Sequence, residues 1–471
     1  MVKMTQTLDD GEAVVEIKYD TLGNIIEKTM PKGIDGKRMK FTYEYDKEHR
    51  MYPIRVTDAF GYRSDLFNYD YRYGIPLMVK DMNGFMTEYE IDDLGRVTKV
   101  TAPNELSSGA PYTILYHYGN ADSVNFARTY HYDPQHPNDP MVTASIVDGL
   151  GRAYQVKKNA EVKGEREMIV SGLTTFDGLG REIAHFAPST CSLNDWGRSS
   201  FDVSTKLDET VYDAFDRPLT QTAFSKNSGA YVSTTAYSIE DNMLKTTVED
   251  NNGDSHLRMH TYMDGSERTL RTVKDHTASG DEPAPTTFVF DGINQLLFVI
   301  DAMNDTTAYT YDKAGRKLSV THPSAGKTTF TYDNCGNVLS KETSKGKVEY
   351  KYEYNRLIEQ TYGDDKWKNN VKYTYGGVDA KHNRVGRLAL VEDGSGAQEY
   401  FYGKMGEVEK IRRTLIIPGV DVATYTTSWK YDSWNRIQEM VYPDGEKIKY
   451  TYNLGGQLTK IVGEKNYICT Y

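Results

Sequence analysis

The sequence predicts an all-β protein, built as one long strip of antiparallel β-hairpins that curls into a hollow shell or an open cocoon. Three observations lead to this prediction. A short phrase returns along most of the chain, the residues around it alternate between apolar and polar, and the 471 residues contain few apolar side chains for their number. A repeat with strand-like alternation indicates stacked hairpins, and a low apolar content favours a thin wall over a filled core.

The repeated phrase is clearest in the centre of the chain, where Phe290, Tyr311 and Tyr332 follow one another at 21-residue steps. Each is followed by Asp and then, three residues further on, by Asn or Gly. Tyr431 and Tyr452 repeat the same step. Looser copies read YDTLGN, YDKEHR, IDDLGR, VDGLGR, FDGLGR and YDAFDR, and they begin at Tyr19, Tyr45, Ile91, Val147, Phe176 and Tyr212. The phrase therefore spans the chain.

Each period predicts one hairpin. In KTTFTYD, Phe330 and Tyr332 alternate with Thr329 and Thr331, which is the pattern of a half-buried strand. The D-x-x-G that follows suits a tight turn, because an Asp carboxylate accepts a backbone N–H two residues on and Gly adopts a positive φ. Two strands of about six residues and two turns of about four fill about 20 residues. The phrase therefore marks a hairpin tip.

The residues predicted to form these tips are the recurring Asp, Gly and Arg, with an Asp–Arg contact supporting the turn. They are Asp20, Gly23, Asp92, Gly95, Arg96, Asp148, Gly151, Arg152, Asp177, Gly180, Arg181, Asp213, Arg217, Asp312, Gly315, Arg316, Asp333, Gly336, Asp432 and Arg436. A catalytic site is needed once, whereas a turn is needed in every hairpin, so the repetition indicates structure. DGLG at Asp148 and Asp177 is a turn and not a phosphate loop, because no helix is predicted after it.

The length of the strip predicts its curvature. Up to 22 periods of two strands, at about 4.8 Å per strand, give a strip of about 200 Å. Strand twist forces so long a sheet to coil, and a single turn of that circumference would leave an opening of about 60 Å. Tyr outnumbers Phe by 37 to 15, which suits sheet faces where a ring packs while its hydroxyl reaches water or a polar neighbour.

The phrase Y-D-x-x-G-R, often with Pro six to eight residues beyond the Gly, resembles the Rhs or YD-repeat family; examples end at Pro103 and Pro323. HYDPQHPNDP (131–140), VDGLGRAYQVKKNAE (147–161) and MIVSGLTTFDGLGREIAHFAP (168–188) are similar to the B component of insecticidal toxin complexes. The resemblance implies a non-catalytic shell that encloses a C-terminal toxin or effector polypeptide in its lumen, together with further shell or toxin-complex components. It also implies a secreted or cell-surface protein.

The chain departs from full-length members of that family. It contains no propeller-like region before the repeats, and it ends within them without the capping core and its D-P-x-G-L segment. We therefore expect a fragment or a split gene product. Its organisation is predicted as repeats over 1–103, an irregular, Pro-rich and toxin-component-like segment over 104–205, and repeats over 206–471. The polar stretch Asp275–Thr287 is predicted to be an exposed loop.

Bulk properties exclude other classes. A net charge of −11 argues against nucleic acid as a partner, since phosphate binding needs a concentrated cationic surface. Three distant cysteines indicate neither a disulfide framework nor a metal site. No segment reads as a signal peptide or as a membrane span. Disulfides are therefore not expected to stabilise this fold.

One cluster contains residue types that could form a chemical site. His131, Asp133, His136 and Asp139 stand together in HYDPQHPNDP, and such residues can bind a metal or move protons. Turn chemistry around the prolines accounts for them better, so we predict no catalytic residue, cofactor or metal site. The alternative to a shell is a cell-surface module that binds glycans through half-exposed tyrosines; an enzyme is the weakest of the three.

Overall fold

The computed structural model describes residues 1–9, 11–121, 124–200, 202–225, 229–252, 255–276, 283–363, 370–417, 419, 421–464 and 468–470. Within these residues the protein is almost wholly strand and turn. Helix is confined there to α1 (Pro103–Ser108) and one 3-10 turn (Val203–Thr205). The all-β prediction is confirmed.

The described residues form forty strands. The first twenty are β1 (Val2–Leu8), β2 (Gly11–Tyr19), β3 (Ile25–Lys32), β4 (Arg38–Tyr45), β5 (Pro53–Asp58), β6 (Arg63–Asp70), β7 (Ile75–Lys80), β8 (Met86–Ile91), β9 (Val97–Thr101), β10 (Ile114–Ala121), β11 (Val124–His131), β12 (Met141–Val147), β13 (Ala153–Val162), β14 (Glu165–Ser171), β15 (Thr174–Phe176), β16 (Glu182–Phe186), β17 (Ser189–Ser192), β18 (Lys206–Tyr212), β19 (Pro218–Ser225) and β20 (Gly229–Glu240). The others are β21 (Met243–Asn252), β22 (Ser255–Met263), β23 (Thr269–His276), β24 (Ala284–Phe290), β25 (Leu296–Ile300), β26 (Thr306–Tyr311), β27 (Lys317–His322), β28 (Gly326–Tyr332), β29 (Val338–Thr343), β30 (Gly346–Glu353), β31 (Arg356–Tyr362), β32 (Val371–Tyr375), β33 (Leu388–Asp393), β34 (Gly396–Tyr402), β35 (Val408–Leu415), β36 (Ala423–Tyr431), β37 (Ile437–Val441), β38 (Lys447–Tyr452), β39 (Leu458–Gly463) and β40 (Ile468–Thr470).

The strands pair antiparallel in chain order, as successive hairpins must. They form a 15-stranded sheet of β1–β14 and β17, and a 25-stranded sheet of β15, β16 and β18–β40. In the hairpin of β26 and β27, Tyr309 pairs with Val320, and the register shifts by a β-bulge at Tyr311, just before the tip. The same shift occurs at Tyr332 and Tyr452. A bulge increases local twist and so helps the strip to curl.

The boundary between the two sheets is a crease in one continuous strip. β15 continues β14 after Gly172 and Leu173, and β17 continues β16 in the same way. Across the crease, β14 pairs with β17 and β15 pairs with β16. Val170, Leu173 and Phe186 are buried together at the crease. The four short strands are therefore the halves of two long ones.

The strip is a wall one sheet thick. The elements in extensive contact are neighbours within a sheet, with α1 against β8 and β13 against β15 as the additions. A compact protein of 53.5 kDa would expose about 18,000 Å² of surface, whereas this chain exposes 27517 Å². Both faces of the wall are therefore widely open to solvent, as the low apolar content predicted.

The strip winds back over itself. The connection between β3 and β4 lies against the tips after β28 and β30, where the Cys335 thiol donates to the carbonyl of Pro31 (3.2 Å) and the N–H of Tyr354 donates to Asp35 (3.1 Å). The two tips follow β28 and β30, which are 25 and 27 strand numbers after β3. Two of the numbers in between belong to the second halves of long strands, so the tips lie 23 and 25 full strands further on. One turn therefore takes about 24 strands, about 115 Å of circumference or about 37 Å between facing backbones.

A single ring with a 60 Å opening is therefore wrong. The strip closes on itself after about 24 strands and then continues one layer over, because its two edges bond to each other instead of its two ends. Side chains extend about 5 Å from each wall, so the enclosed space is about 25 to 30 Å wide. The division into 1–103, 104–205 and 206–471 stays a prediction. The loop expected over Asp275–Thr287 is shorter than predicted, because Asp275 and His276 belong to β23 and 284–287 belong to β24; residues 277–282 lie outside the described residues.

Candidate functional site

Each tip of the repeated phrase is a turn organised by one carboxylate. At the tip after β26, the Asp312 N–H donates to the Arg316 carbonyl (2.9 Å), and the Gly315 N–H donates to the Asp312 carbonyl (3.0 Å). Oδ1 of Asp312 accepts the N–H groups of Ala314 (2.9 Å) and Arg316 (2.8 Å), and Oδ2 accepts the Arg316 guanidinium. Burial acts to raise the pKa of Asp312, but these donors lower it below its usual value.

The other tip residues predicted from sequence occupy equivalent positions. The same two N–H bonds to Oδ1 occur at Asp20, Asp92, Asp148, Asp177, Asp213, Asp333 and Asp432. The guanidinium contact to Oδ2 occurs at Arg96, Arg152, Arg181, Arg217 and Arg436. Positive φ angles occur at Gly23, Gly95, Gly151, Gly180, Gly315 and Gly336. We propose that these residues fix the turns.

Neighbouring tips are joined by the aromatic residue and the arginine of the phrase. The Tyr332 hydroxyl donates to the carbonyl of Lys317 in the preceding hairpin (2.8 Å). Arg316 lies over the Tyr332 ring (4.9 Å to the centroid) and donates to the carbonyl of Asp333 (2.6 Å). Tyr311 and Tyr452 make the same hydroxyl contact with the hairpins before them. The phrase thus builds its own tip and also ties it to the next one.

These tips form one edge of the strip, which we call the YD edge, and the connections at the other ends of the strands form the opposite edge. In the second turn of the strip, the YD edge from the tip after β26 onward lies against the opposite edge of the first turn. We call this contact the seam. It begins with an ion pair between Lys313 and Asp9 (3.8 Å). It then follows the strip with its partners about 300 residues apart.

The first half of the seam is held by small polar contacts. The Tyr62 hydroxyl donates to the carbonyl of Gly376 (2.7 Å) and accepts from Arg356 (3.0 Å). One tip further on, Asn83 and the backbone of Val385 exchange two hydrogen bonds (3.0 and 3.3 Å). The bonds to Val385 use the N–H and the carbonyl of one residue in a tip. The seam therefore satisfies groups that would otherwise need water.

The seam is most deeply buried at the Pro-rich connection between β11 and β12. Asp133 is fully buried there and pairs with Arg436 (3.0 Å), whose guanidinium also binds Asp432 (2.7 Å). Gln135 bonds the carbonyl of Tyr450 (2.9 Å) and accepts the N–H of Tyr452 (3.0 Å). One guanidinium thus serves two carboxylates, one from each turn of the strip.

The His and Asp residues weighed above as a metal cluster are divided among these contacts. His131 packs on the Trp434 ring (4.0 Å between centroids), and burial, with a contribution from Lys158, lowers its pKa to about 4. The ring of His136 contacts Asp133 (3.1 Å), and Asp139 pairs with Arg166. Within the described ranges, no group of three or more His, Cys, Asp or Glu side chains is arranged to hold a metal.

The seam could not be predicted from the sequence. Nothing in the sequence indicates the partners of four residues in the seam, because the distance along the chain between partners is set by the superhelix and not by the repeat. These residues are Tyr62, Asn83, Gln135 and Glu105, the last of which contacts Ser433 across the seam. The D-x-x-G spacing at Asp58 and Asp81, by contrast, could have identified tips on the opposite edge. The aromatic residue that precedes most copies of the phrase is absent there.

The comparisons with known proteins agree with this geometry. Residues 286–469 match the family model of the teneurin YD-shell. The chain has the YD-shell fold. A crystal structure of TcdB2–TccC3 aligns over 99% of this chain and 28% of its own, with a TM-score of 0.81 and 18% identity. A Tc holotoxin pore from Photorhabdus luminescens aligns over 99% of this chain and 29% of its own, with a TM-score of 0.81 and 16% identity. No curated protein matched the sequence.

The resemblance to Rhs or YD-repeat shells is therefore confirmed, at the level of the fold. This chain spans less than a third of the length of the solved chains that it matches. No helix within the described part of the chain is long and apolar enough to cross a membrane. Glycan binding by the exposed tyrosines stays a prediction, as does the expected absence of a nucleic-acid partner.

Proposed function

We propose that this chain is a non-catalytic wall segment of a shell that encloses and shields a toxin or effector polypeptide. The observation that supports this most strongly is the wall one sheet thick, wound about one and a half turns and closed on itself by the seam. Two exposed faces cost the protein burial that a filled core would gain. The thin wall instead encloses a space about 25 to 30 Å wide, which is wide enough for a polypeptide.

The comparisons support the same proposal by analogy. The solved neighbours are complexes of TcdB2 with TccC3, and one was solved without its hypervariable C-terminal region. By extension, the enclosed polypeptide of this protein would follow the shell in sequence, and further shell or toxin-complex components would complete the container. A secreted or cell-surface location fits such a role.

Protection from protease tests the proposal. A reporter polypeptide fused after Tyr471 should be cleaved much more slowly than the same reporter alone. In the Arg436→Met variant, the buried part of the seam is disrupted, and the protection of the fused reporter should decrease. Equal cleavage of the fused and the free reporter would refute enclosure.

Solution scattering tests the hollow wall separately. A filled globular chain of 471 residues has a radius of gyration of about 23 Å. The hollow superhelix should give a larger value, with a minimum of scattering density at its centre. A radius at or below that of the filled chain would refute the fold-based part of the argument, whatever the reporter shows.

A further inference from the structure

The YD edge of the first turn faces away from the second turn, and we call it the free YD edge. It carries a row of apolar side chains. The third residue of the tip, two after the Asp, is apolar in six of these tips: Leu22, Leu94, Leu150, Leu179, Phe215 and Ile293. All six side chains are between 59% and 80% exposed. Nothing in the tip itself requires an apolar residue there, because the turn is made by the Asp, by the Gly or Asn, and by backbone groups.

The seam shows what that position contacts when the edge is occupied. Trp434 holds the same position in the tip after β36, and its indole N–H donates to the Tyr132 carbonyl across the seam (3.3 Å). Cys335 holds it in the tip after β28, where it meets Pro31 and burial raises the pKa of the thiol to about 11. In the tip after β34, Met405 holds it, contacts Asn104 across the seam and is 43% exposed. The side chains at this position are thus less exposed in the seam than on the free YD edge.

The partner surface is also present on this chain. Beyond the connections that the seam covers, the opposite edge continues along the strip and faces away from the seam; we call this part the free opposite edge. It exposes Met303 in the tip after β25, and Ile416 and Ile417 after β35 in the second turn. The Met303 tip is built on Asp301, whose N–H donates to the Asp305 carbonyl (3.1 Å). The Asp81 tip, which lies in the seam, closes in the same way (2.9 Å).

We propose that the free YD edge of the first turn binds the free opposite edge of a second copy of this chain, which continues the superhelix head to tail. The interface repeats the seam, so its chemistry is already established within one molecule. The contact is heterologous, with different surfaces on the two copies. Such contacts extend into longer assemblies instead of closing as a symmetric dimer, so the enclosed space lengthens with each copy.

Sedimentation velocity of the full chain over a range of concentrations tests this. We expect species of at least twice the 53.5 kDa monomer mass, with a share that rises with concentration. The triple variant Leu94→Lys, Leu150→Lys and Leu179→Lys should sediment as a monomer, because three charges cannot be buried in an apolar contact without partners. Because the three side chains are exposed, circular dichroism should show an unchanged fold.

The matched control adds the same three charges to exposed positions on strand faces, as Leu207→Lys, Leu219→Lys and Phe298→Lys. This variant should associate as the wild type does. A wild type that stays monomeric would overturn the proposal and leave the edge to a different β-strip. Association of the edge variant at the wild-type level would overturn it as well, because the contact would then lie elsewhere.

Discussion

Replacing Arg436 by Met should open the seam at its most buried point. Arg436 is the cation shared by Asp133 and Asp432, and neither carboxylate side chain is exposed to solvent. Removing one partner of a buried pair costs about 3 to 5 kcal/mol, because the remaining charge stays buried without compensation. Here two carboxylates lose their cation, so we expect a value in that range. Met keeps most of the apolar stem and limits the loss of packing.

The matched control is Arg96→Met. Arg96 has the same place in its phrase, bonds Asp92 in the same way and lies over Tyr118 (4.4 Å) as Arg436 lies over Tyr452 (4.7 Å). It differs in lying on the free edge, where its side chain is 45% exposed. An exposed pair contributes about 1 kcal/mol or less. The difference between the two variants therefore measures the seam.

Hydrogen exchange is the suitable assay, because a long repeat array opens locally and has no single unfolding free energy. A loss of about 3 kcal/mol at Arg436 should speed exchange of the β36–β39 amides by about 100-fold, since each factor of ten corresponds to about 1.4 kcal/mol. The same change at Arg96 should speed exchange near β8 and β9 by less than about tenfold. Equal effects of the two variants would refute the seam as a source of stability.

Two further predictions concern the tips and pH. Gly336→Val should destabilise its hairpin by more than about 1 kcal/mol, because φ is 91° although the space around the residue is open. Gly178→Ala, also in open space, should be neutral, and equal changes of hydrogen exchange in the two hairpins would contradict this. Since the pKa of His131 is about 4 against an ordinary 6.5, the unfolded chain binds a proton first as pH falls; stability should therefore decrease between pH 6.5 and 4 by up to about 1.4 kcal/mol per unit. His131→Gln should flatten the pH dependence of hydrogen-exchange protection in β11 and β12, and an unchanged slope would contradict the prediction.

The local fold could be predicted from the sequence because the residues that determine each hairpin lie within that hairpin. Phe330 and Tyr332 alternate with Thr residues, and the Asp that follows supplies two hydrogen bonds to a turn only five residues long. These determinants lie within one 21-residue period, and the period is repeated often enough to be recognised. The fold class and the tips are therefore accessible to reasoning from residue types.

The superhelix could not be predicted in the same way. The choice of about 24 strands per turn depends on which tips bond across the seam, for example Asn83 with Val385 and Asp133 with Arg436, and those partners stand about 300 residues apart. The residue types of HYDPQHPNDP predict turns, but they do not indicate which part of the chain they contact. The polar character of Asp133 has a reason only when the second turn lies above it.

The seam has a consequence for how the gene can change. A linear array gains or loses units freely, since each unit contacts only its neighbours. In this protein, deleting one 21-residue hairpin between Asp133 and Arg436 would move every later tip by one place along the first turn. Arg436 would then lose Asp133, the carboxylate that it pairs with across the seam. The number of hairpins in a turn is therefore constrained by contacts on the next layer, and a duplication or deletion would survive most readily where no layer lies above or below it.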